Sequence, residues 1–230
     1  MKKSLAFIAA MLAATTSFAA YAADGDNARL SVGVTGGTLG VGPEVGYRVS
    51  EMFGVRANAT FLSVSHNIDS DNITYDGKVK LKSGGVMVDV YPFGGGFRLS
   101  GGLRLNGNKA RGIGIANNGA SYTINGQTYT TTEISSVRAD TDIKDVAPAL
   151  TLGYGGGLSS GLVFGVEAGA LFQGRVKIKP LTITGTCATS SSGACATVLT
   201  NLEAERQSVN DDIDGYKVYP ILQLTIGYRF

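Results

Sequence analysis

The sequence contains no tryptophan, only five prolines, one histidine and two cysteines. The single histidine, His66, is remote in sequence from Cys187 and Cys195, so no metal site is expected. Beyond the first 22 residues the chain has no long apolar run. Glycine is abundant instead, with 33 residues, about twice the usual share in proteins. This composition predicts many strands and tight turns rather than helices.

The first 22 residues have the layout of a bacterial secretory signal peptide. Lys2 and Lys3 precede an apolar stretch, which ends in the small-residue sequence Ala20-Tyr21-Ala22. An N-terminal membrane anchor is the alternative, but the apolar run is shorter than the ~18 residues that a spanning helix needs. We expect cleavage after Ala22, which leaves residues 23–230. Removal of the two lysines brings the formal charge of +2 to about zero, and this balance gives no indication of nucleic-acid binding.

Eight segments of the remaining chain alternate between apolar and polar residues, as a strand with one apolar face does. The last of them ends in "LQLTIGYRF", which places Leu222, Leu224, Ile226 and Tyr228 on one face. Their lengths suit tilted strands of a membrane barrel. The segments are 28–35, 41–49, 53–61, 85–92, 97–106, 146–154, 162–172 and 216–230.

All charges in these segments lie on one face, and the other face has none. A soluble barrel has the reverse arrangement, with an apolar interior, whereas one Arg facing lipid near the midplane costs ~2–4 kcal/mol. We therefore predict an all-β fold, an eight-stranded antiparallel transmembrane β-barrel, with these charges lining the lumen. A soluble exported β-sandwich is the alternative. The inward charges are Arg29, Glu44, Arg48, Arg56, Asp89, Arg98, Arg104, Glu167 and Arg229.

The inward charges are expected to form a paired network, because buried charges persist only when paired and hydrogen-bonded. Asp89 and Arg98 flank the turn "YPFGGGF" at nearly equal distances, which predicts that they are cross-strand neighbours. Glu44 and Glu167 lie nearer mid-height, within reach of arginines across a narrow interior. Such a network would close the barrel, since eight strands leave an interior that side chains just fill.

The connections between the segments differ in length. Those after the second, fourth and sixth segments are short, whereas residues 62–77, 107–144 and 174–215 form long connections. Among the connections at the long-loop end, only the first, "GGTLG", is short. This asymmetry is typical of outer-membrane barrels, with short turns in the periplasm and long loops outside. Within the loops, Asn125-Gly126 predicts a β-hairpin. Residues 201–214 predict either a short helix or an irregular segment, and Cys187 and Cys195 predict a local disulfide in an oxidising compartment.

The terminal sequence "TIGYRF", with Tyr228 and Phe230, resembles the assembly signal of bacterial outer-membrane barrels. With the signal peptide and the eight segments, the chain resembles the small eight-stranded OmpA-, OmpX- and OmpW-like group. This resemblance implies an outer-membrane location and recognition of Phe230 by the barrel-insertion machinery. The chain departs from the two-domain members of that group, because it ends at the barrel, and we expect no periplasmic peptidoglycan-binding domain to follow.

Lys78, Lys80 and Lys82 share one face of a strand extension. A solvated charge run is the preferred interpretation, and contact with lipopolysaccharide phosphates is the alternative if the lysines face outward. A bulge at Gly84-Gly85 would leave their direction open. The expected partners are accordingly outer-membrane lipid and lipopolysaccharide, in addition to the insertion machinery and without nucleic acid.

Catalysis is not expected, because acyl transfer in a small barrel requires a Ser–His pair with an orienting third residue. Ser65 is adjacent to His66 and would point to the opposite face of a strand. The glycines of "GGGF" and "GYGGG" lack the helix and lysine of a phosphate loop. We therefore expect no cofactor and a structural or surface-interaction role in envelope integrity and loop-mediated contacts. A passive conduit for small molecules, apolar ones included, is the alternative, and a lipid-modifying enzyme is a remote third.

Overall fold

The computed structural model describes residues 28–69, 72–117, 119–155 and 159–230. The predicted signal peptide, residues 1–22, lies outside the described residues. The strands are β1 (Leu30–Gly37), β2 (Gly40–Arg48), β3 (Phe53–Asp69), β4 (Ile73–Val90), β5 (Phe97–Asn106), β6 (Lys109–Ala116), β7 (Ser121–Ile124), β8 (Gln127–Thr130), β9 (Ser136–Asp142), β10 (Val146–Gly155), β11 (Gly161–Leu171), β12 (Lys177–Ile178), β13 (Thr182–Thr184) and β14 (Tyr219–Arg229).

Within the residues that the structure describes, helical structure is confined to the segment before β14. Two short 3₁₀ helices, Thr186–Ala188 and Gly193–Thr197, precede α1 (Val198–Ile213). Within the described ranges, no helix has the length and apolar character needed to cross a membrane.

Eight strands form a closed ring of antiparallel pairs. The order is β1, β2, β3, β4, β5, β10, β11 and β14, and β14 pairs again with β1, with Ile226 opposite Val34. These strands overlap the eight alternating segments of the sequence. Closure gives every ring strand a partner on both sides, which removes the exposed edges of an open sheet.

The two faces of the ring differ as alternation predicts. The outer face is apolar and exposed, with Leu224 68%, Phe164 66% and Leu105 66% accessible. The inner face buries polar and charged side chains, and Asp89 is 0% accessible. The ring is thus apolar outside and charged inside, which is the reverse of a soluble barrel.

β3 and β4 extend well beyond the ring, so the expectation of a long loop at 62–77 is wrong. Their register is unbroken from Phe53 opposite Val90 to Asp69 opposite Thr74. The bulge considered at Gly84-Gly85 is therefore absent from this pairing. Beyond the ring β4 pairs with β6, β6 with β9, and β9 with β12 and β13. These four strands and the extended ends of β3 and β4 are called the outer sheet.

The predicted hairpin is confirmed as β7 and β8, with Asn125 and Gly126 between them. Both turn residues have positive φ, 48° and 78°, as a type I′ turn requires. One side of the hairpin packs into an apolar cluster with α1 and the cysteines. The buried members of that cluster are Tyr122, Ile124, Tyr129, Ile134, Cys187, Cys195, Val198 and Leu202.

Of the two alternatives for residues 201–214, the structure has the helix. Val198 and Leu202 lie four residues apart on one face of α1 and are both buried in the apolar cluster. The Asn201 side-chain amide donates to the Tyr129 hydroxyl at 2.8 Å. On the exposed side, the Arg206 guanidinium donates to Glu203 and lowers the pKa of that carboxyl to about 2. Tertiary burial therefore stabilises a helix whose sequence is only weakly periodic.

The predicted disulfide between Cys187 and Cys195 is confirmed, with Cα atoms 5.0 Å apart and a sequence separation of 8 between the partners. We expect the double substitution Cys187→Ser, Cys195→Ser to destabilise the cluster locally by about 2–3 kcal/mol, because only a short loop is closed. Limited proteolysis should then cut the segment before α1 faster. The ring should keep its heat-modifiable gel migration, and loss of that migration would contradict a local role.

Candidate functional site: the interior of the ring

Arg56 is the centre of the charged interior. It lies on β3 with a side chain only 8% accessible, and it forms ion pairs with three carboxylates. The closest N···O distances are 2.7 Å to Asp89, 2.6 Å to Glu167 and 3.4 Å to Glu44. With Arg98, which pairs with Glu167 at 2.9 Å, these residues are called the lumen network. Each of the three buried acids is thus paired with a guanidinium, and Glu167 is paired with two, as a charged interior requires.

The lumen network spans the full width of the ring. In the ring order β3 is the third strand and β11 the seventh, so they lie on opposite sides. Arg56 comes from β3 and Glu167 from β11, and their ion pair therefore crosses the interior. The carboxylates also accept neutral hydrogen bonds, from Ser100 to Asp89 at 2.6 Å and from Asn58 to Glu44 at 3.1 Å. The interior at this height is filled by bonded side chains.

Asp89 and Arg98 are not cross-strand partners, and that prediction is wrong. The register of β4 and β5 places Ser100 opposite Asp89. Arg98 instead reaches Glu167 over Gly153, which lies opposite it on β10. A Cβ atom at Gly153 would come within 3.2 Å of the Arg98 guanidinium. The absence of a side chain at Gly153 therefore leaves space for the guanidinium to reach Glu167.

The other inward arginines bind neutral oxygens. Arg104 donates to Ser83 at 3.0 Å and to Asn58 at 2.8 Å. Arg48 donates to the carbonyl oxygens of Gly94 and Glu51 in the turns at the end of the ring that carries the termini, at 2.8 and 2.6 Å. Its guanidinium carbon lies 3.4 Å from the ring centroid of Tyr91, a close cation–π contact. These two arginines stabilise turns and strands by donating to neutral oxygen atoms, and neither forms a hydrogen bond to a carboxylate of a residue that the structure describes.

Two predicted members of the network lie at its edge. Arg29 is exposed and donates to the Val49 carbonyl at 2.9 Å, so it belongs to the rim of the ring and not to the buried network. Arg229 is buried on β14 and lines a small cavity of about 40 Å³ together with Arg29, Arg48, Tyr91 and Arg98. Arginine therefore dominates the end of the interior that lies near the chain termini.

An apolar cluster, which the sequence reasoning missed, fills the opposite end of the interior. Leu39, in the turn between β1 and β2, is 1% accessible. The carbonyl of Leu39 accepts from the Thr60 hydroxyl at 2.7 Å, and the neighbouring Thr38 carbonyl accepts from the Tyr219 hydroxyl at 2.7 Å. These bonds hold the turn inward. The buried members are Leu39, Met87, Ala147, Ala149, Leu171 and Ile221, called the inner apolar cluster.

The residues considered for catalysis lie away from the ring interior. His66 is an exposed residue of the extended part of β3, opposite Gly77. Ser65 is its neighbour on the same strand and therefore points to the other face. Within the described residues, no three His, Cys, Asp or Glu side chains are grouped to hold a metal ion.

Comparison with known proteins identifies the fold. No protein-family model matches the sequence, and no curated protein matches it. The similar solved structures include the crystal structures of CarO and CarO2 of Acinetobacter baumannii. CarO is 18% identical with a TM-score of 0.56, over 88% of this chain and 98% of that chain. CarO2 is 17% identical with a TM-score of 0.57, over 89% and 99%. CarO proteins are outer-membrane β-barrels, and the present chain has the fold of a bacterial outer-membrane β-barrel protein, in agreement with the predicted localisation.

Proposed function

We propose that this protein is a closed outer-membrane anchor with a structural or surface-interaction role. The eight ring strands would span the bilayer as an eight-stranded barrel, as in the OmpA-, OmpX- and OmpW-like group. The outer sheet, the hairpin and α1 would then project from the cell and make the contacts. The observation that carries the proposal is the ion pair between Arg56 and Glu167, which bridges opposite strands of the ring.

The outer face of the ring supports the membrane-spanning role. Large apolar side chains are exposed on every ring strand, for example Val34 on β1, Val45 on β2 and Leu152 on β10. A contiguous apolar surface of this kind marks an interaction site, here one with hydrocarbon. A charge on this face would be unfavourable in lipid, and the ring buries its charges inside.

The orientation follows from the two ends of the ring. At one end the start of β1 meets the last residue of the sequence, since the Phe230 amide donates to the Leu30 carbonyl at 2.8 Å. At the other end β3 and β4 continue into the outer sheet. Outer-membrane barrels have short turns in the periplasm and long loops outside. The proposal therefore places the termini in the periplasm and the outer sheet outside the cell.

A closed interior predicts that the purified protein conducts little or no current in a planar lipid bilayer. The inner apolar cluster and the lumen network both obstruct the path. Any residual leak should prefer anions, because five buried arginines, Arg48, Arg56, Arg98, Arg104 and Arg229, face only three acids, Glu44, Asp89 and Glu167. The double variant Leu39→Ala, Met87→Ala removes bulk from the inner apolar cluster. It serves as the control that the recording can detect a less obstructed interior. A large steady conductance of the unmodified protein, or clear cation selectivity, would contradict the proposal.

A passive conduit is the second candidate, and a strip of buried polar groups favours it. Thr35 on β1 and Gln223 on β14 face the interior, and their side-chain polar atoms have no hydrogen-bond partner among the described residues. Buried groups of this kind are usually satisfied by water. A hydrated path along β1 and β14 would produce the conductance that the anchor proposal does not expect, so the same recording distinguishes the two. Neither proposal assigns a catalytic step.

A further inference from the structure

The lysines that the sequence left undecided point away from the ring interior. The unbroken register of β3 and β4 means that alternation continues without a shift. Lys78 and Lys80 therefore share the face of Val86 and Val88, which are exposed on the outside of the ring. The cationic side chains lie on the outer wall of the molecule, in line with its apolar band.

The partner strand adds two further cations directly opposite. The register of β4 and β6 pairs Lys78 with Arg111 and Lys80 with Lys109. Like charges directly opposite each other on neighbouring strands are destabilising. Two such pairs in succession form a site where a bound anion would relieve repulsion.

These four cations line an open cleft of about 310 Å³ together with Arg138 and Lys179. The six residues are called the basic cleft. Asp140 is the one carboxylate in its wall, and it accepts from Arg111 at 2.6 Å and from Arg138 at 2.8 Å. The hydrogen bond from Arg111, with a smaller contribution from Arg138, lowers the pKa of Asp140. Asp140 therefore stays ionised near neutral pH and orients the two guanidinium groups.

Three of the remaining four cations are uncompensated. Lys179 pairs with Asp142 at 3.6 Å, and Asp76 is on the same face beyond Lys78. Lys78, Lys80 and Lys109 form no ion pair within the part of the chain that the structure describes. The cleft consequently keeps an excess of positive charge at its centre, from residues of the two neighbouring strands β4 and β6.

The height of the basic cleft matches a lipid headgroup layer. Leu105 is an exposed apolar residue of the ring and lies opposite Gly84 of β4. Lys80 lies four residues from Gly84 along β4, which at ~3.3 Å per residue is about 13 Å. The cations therefore begin about 13 Å along the strand from the apolar band, at the end of the ring assigned above to the cell exterior.

We propose that the basic cleft binds the phosphate groups of lipopolysaccharide in the outer leaflet of the outer membrane. The inference rests on the proposed orientation of the ring and adds a lipid ligand to it. Arginine binds phosphate through paired N–H donors and lysine through a compact charge. A cleft with both types, open towards the lipid, fits a phosphorylated headgroup held against the wall.

The test uses the mature protein in a neutral detergent, with bisphosphorylated lipid A as the probe and native mass spectrometry or fluorescence titration as the readout. Dephosphorylated lipid A and phosphatidylglycerol are the comparison lipids. We expect lipid A to bind, to weaken as salt rises and to lose binding on removal of its phosphates. Equal binding of dephosphorylated lipid A would overturn the proposal, as would phosphatidylglycerol binding as tightly as lipid A.

The double variant Lys80→Gln, Lys109→Gln removes two charges from the centre of the cleft. We expect lipid A affinity to fall about 10- to 30-fold, on the basis of about 1 kcal/mol per lysine near an anionic surface. The matched control Lys144→Gln, Lys217→Gln removes the same charge from exposed positions outside the cleft and should retain wild-type affinity. Equal affinities of the two variants would overturn the proposal.

Folding of the variants is checked by heat-modifiable gel migration, which removal of exposed, mutually repelling lysines should leave intact. This binding test is also independent of the conductance test. A conducting ring that binds lipid A through these lysines would refute only the closed anchor, and a closed ring without lipid A binding would refute only the lipid site.

Discussion

Replacement of Arg56 by methionine is expected to lower the free energy of unfolding by about 3–5 kcal/mol, the usual effect of removing one partner from a buried ion pair. Arg56 is the only cation in contact with Glu44 and Asp89 within the described residues. Glu167 keeps Arg98. The substitution therefore leaves two buried carboxylates with neutral hydrogen bonds alone, and Asp89 is fully buried.

Two single variants distinguish the effect of leaving buried carboxylates unpaired from the effect of removing any arginine. Arg104→Met removes an equally buried guanidinium whose hydrogen-bond partners, Ser83 and Asn58, are neutral. Its expected effect is smaller, since no carboxylate in contact with it is left unpaired. Arg29→Met removes an exposed arginine at the rim and should change the free energy of unfolding by less than about 1 kcal/mol.

Partial rescue tests the mechanism. Asp89→Asn, added to Arg56→Met, removes one of the stranded charges and should recover part of the lost stability, although each substitution alone is destabilising. Urea unfolding followed by far-UV circular dichroism and by gel migration measures all variants. If Arg56→Met is as stable as the unmodified protein, or if adding Asp89→Asn to it recovers no stability, the lumen network does not stabilise the ring.

The faces of the ring were predictable from the sequence because a single rule, alternation along a strand, decides them. Glu44, Arg56 and Glu167 lie inside, and Leu224 and Phe164 outside, as their parity predicts. The hairpin at Asn125-Gly126 was predictable for a similar reason, since these residues adopt positive φ readily. Such features depend on a few neighbouring residues and need no knowledge of the partner strand.

Side-chain partners depend on register and on empty space, and these were not predictable from the sequence. Arg98 pairs with Glu167 and not with Asp89, because Gly153 leaves room for the guanidinium. Leu39 occupies the interior because hydrogen bonds at Thr60 and Tyr219 hold its turn inward. The short connection "GGTLG" contains no sign of this placement.

The outer sheet and the basic cleft were missed for a further reason. Residues 62–69 and 73–80 alternate as well, but their apolar residues, among them Leu62, Val64 and Val79, have the opposite parity to those of the ring strands. The apolar alternation of the ring strands therefore does not continue through these residues. The cleft joins β4, β6 and β9, which are far apart in the chain. Only the pairing of these strands brings Lys80 next to Lys109.

Deletion of Phe230 is expected to remove most of the folded protein from the outer membrane of producing cells. We propose that the insertion machinery reads this terminal aromatic residue, as the resemblance of "TIGYRF" to an assembly signal implies. In the structure the Phe230 backbone forms hydrogen bonds with Leu30 in both directions, at 2.8 and 3.3 Å. Its ring centroid lies 4.8 Å from that of Tyr228.

Refolding in detergent separates recognition from stability, because no machinery is present there. Loss of two backbone hydrogen bonds costs about 1–3 kcal/mol, so the shortened protein should still refold in micelles with near-normal heat-modifiable migration. Phe230→Tyr keeps an aromatic end and should assemble in cells, which makes it the conservative control. Arg229 is unsuitable as a neighbouring control, since it is buried in the ring interior. Normal assembly in cells without Phe230, or an equal loss of folded protein in cells and in micelles, would show that the terminal residue acts through stability or not at all.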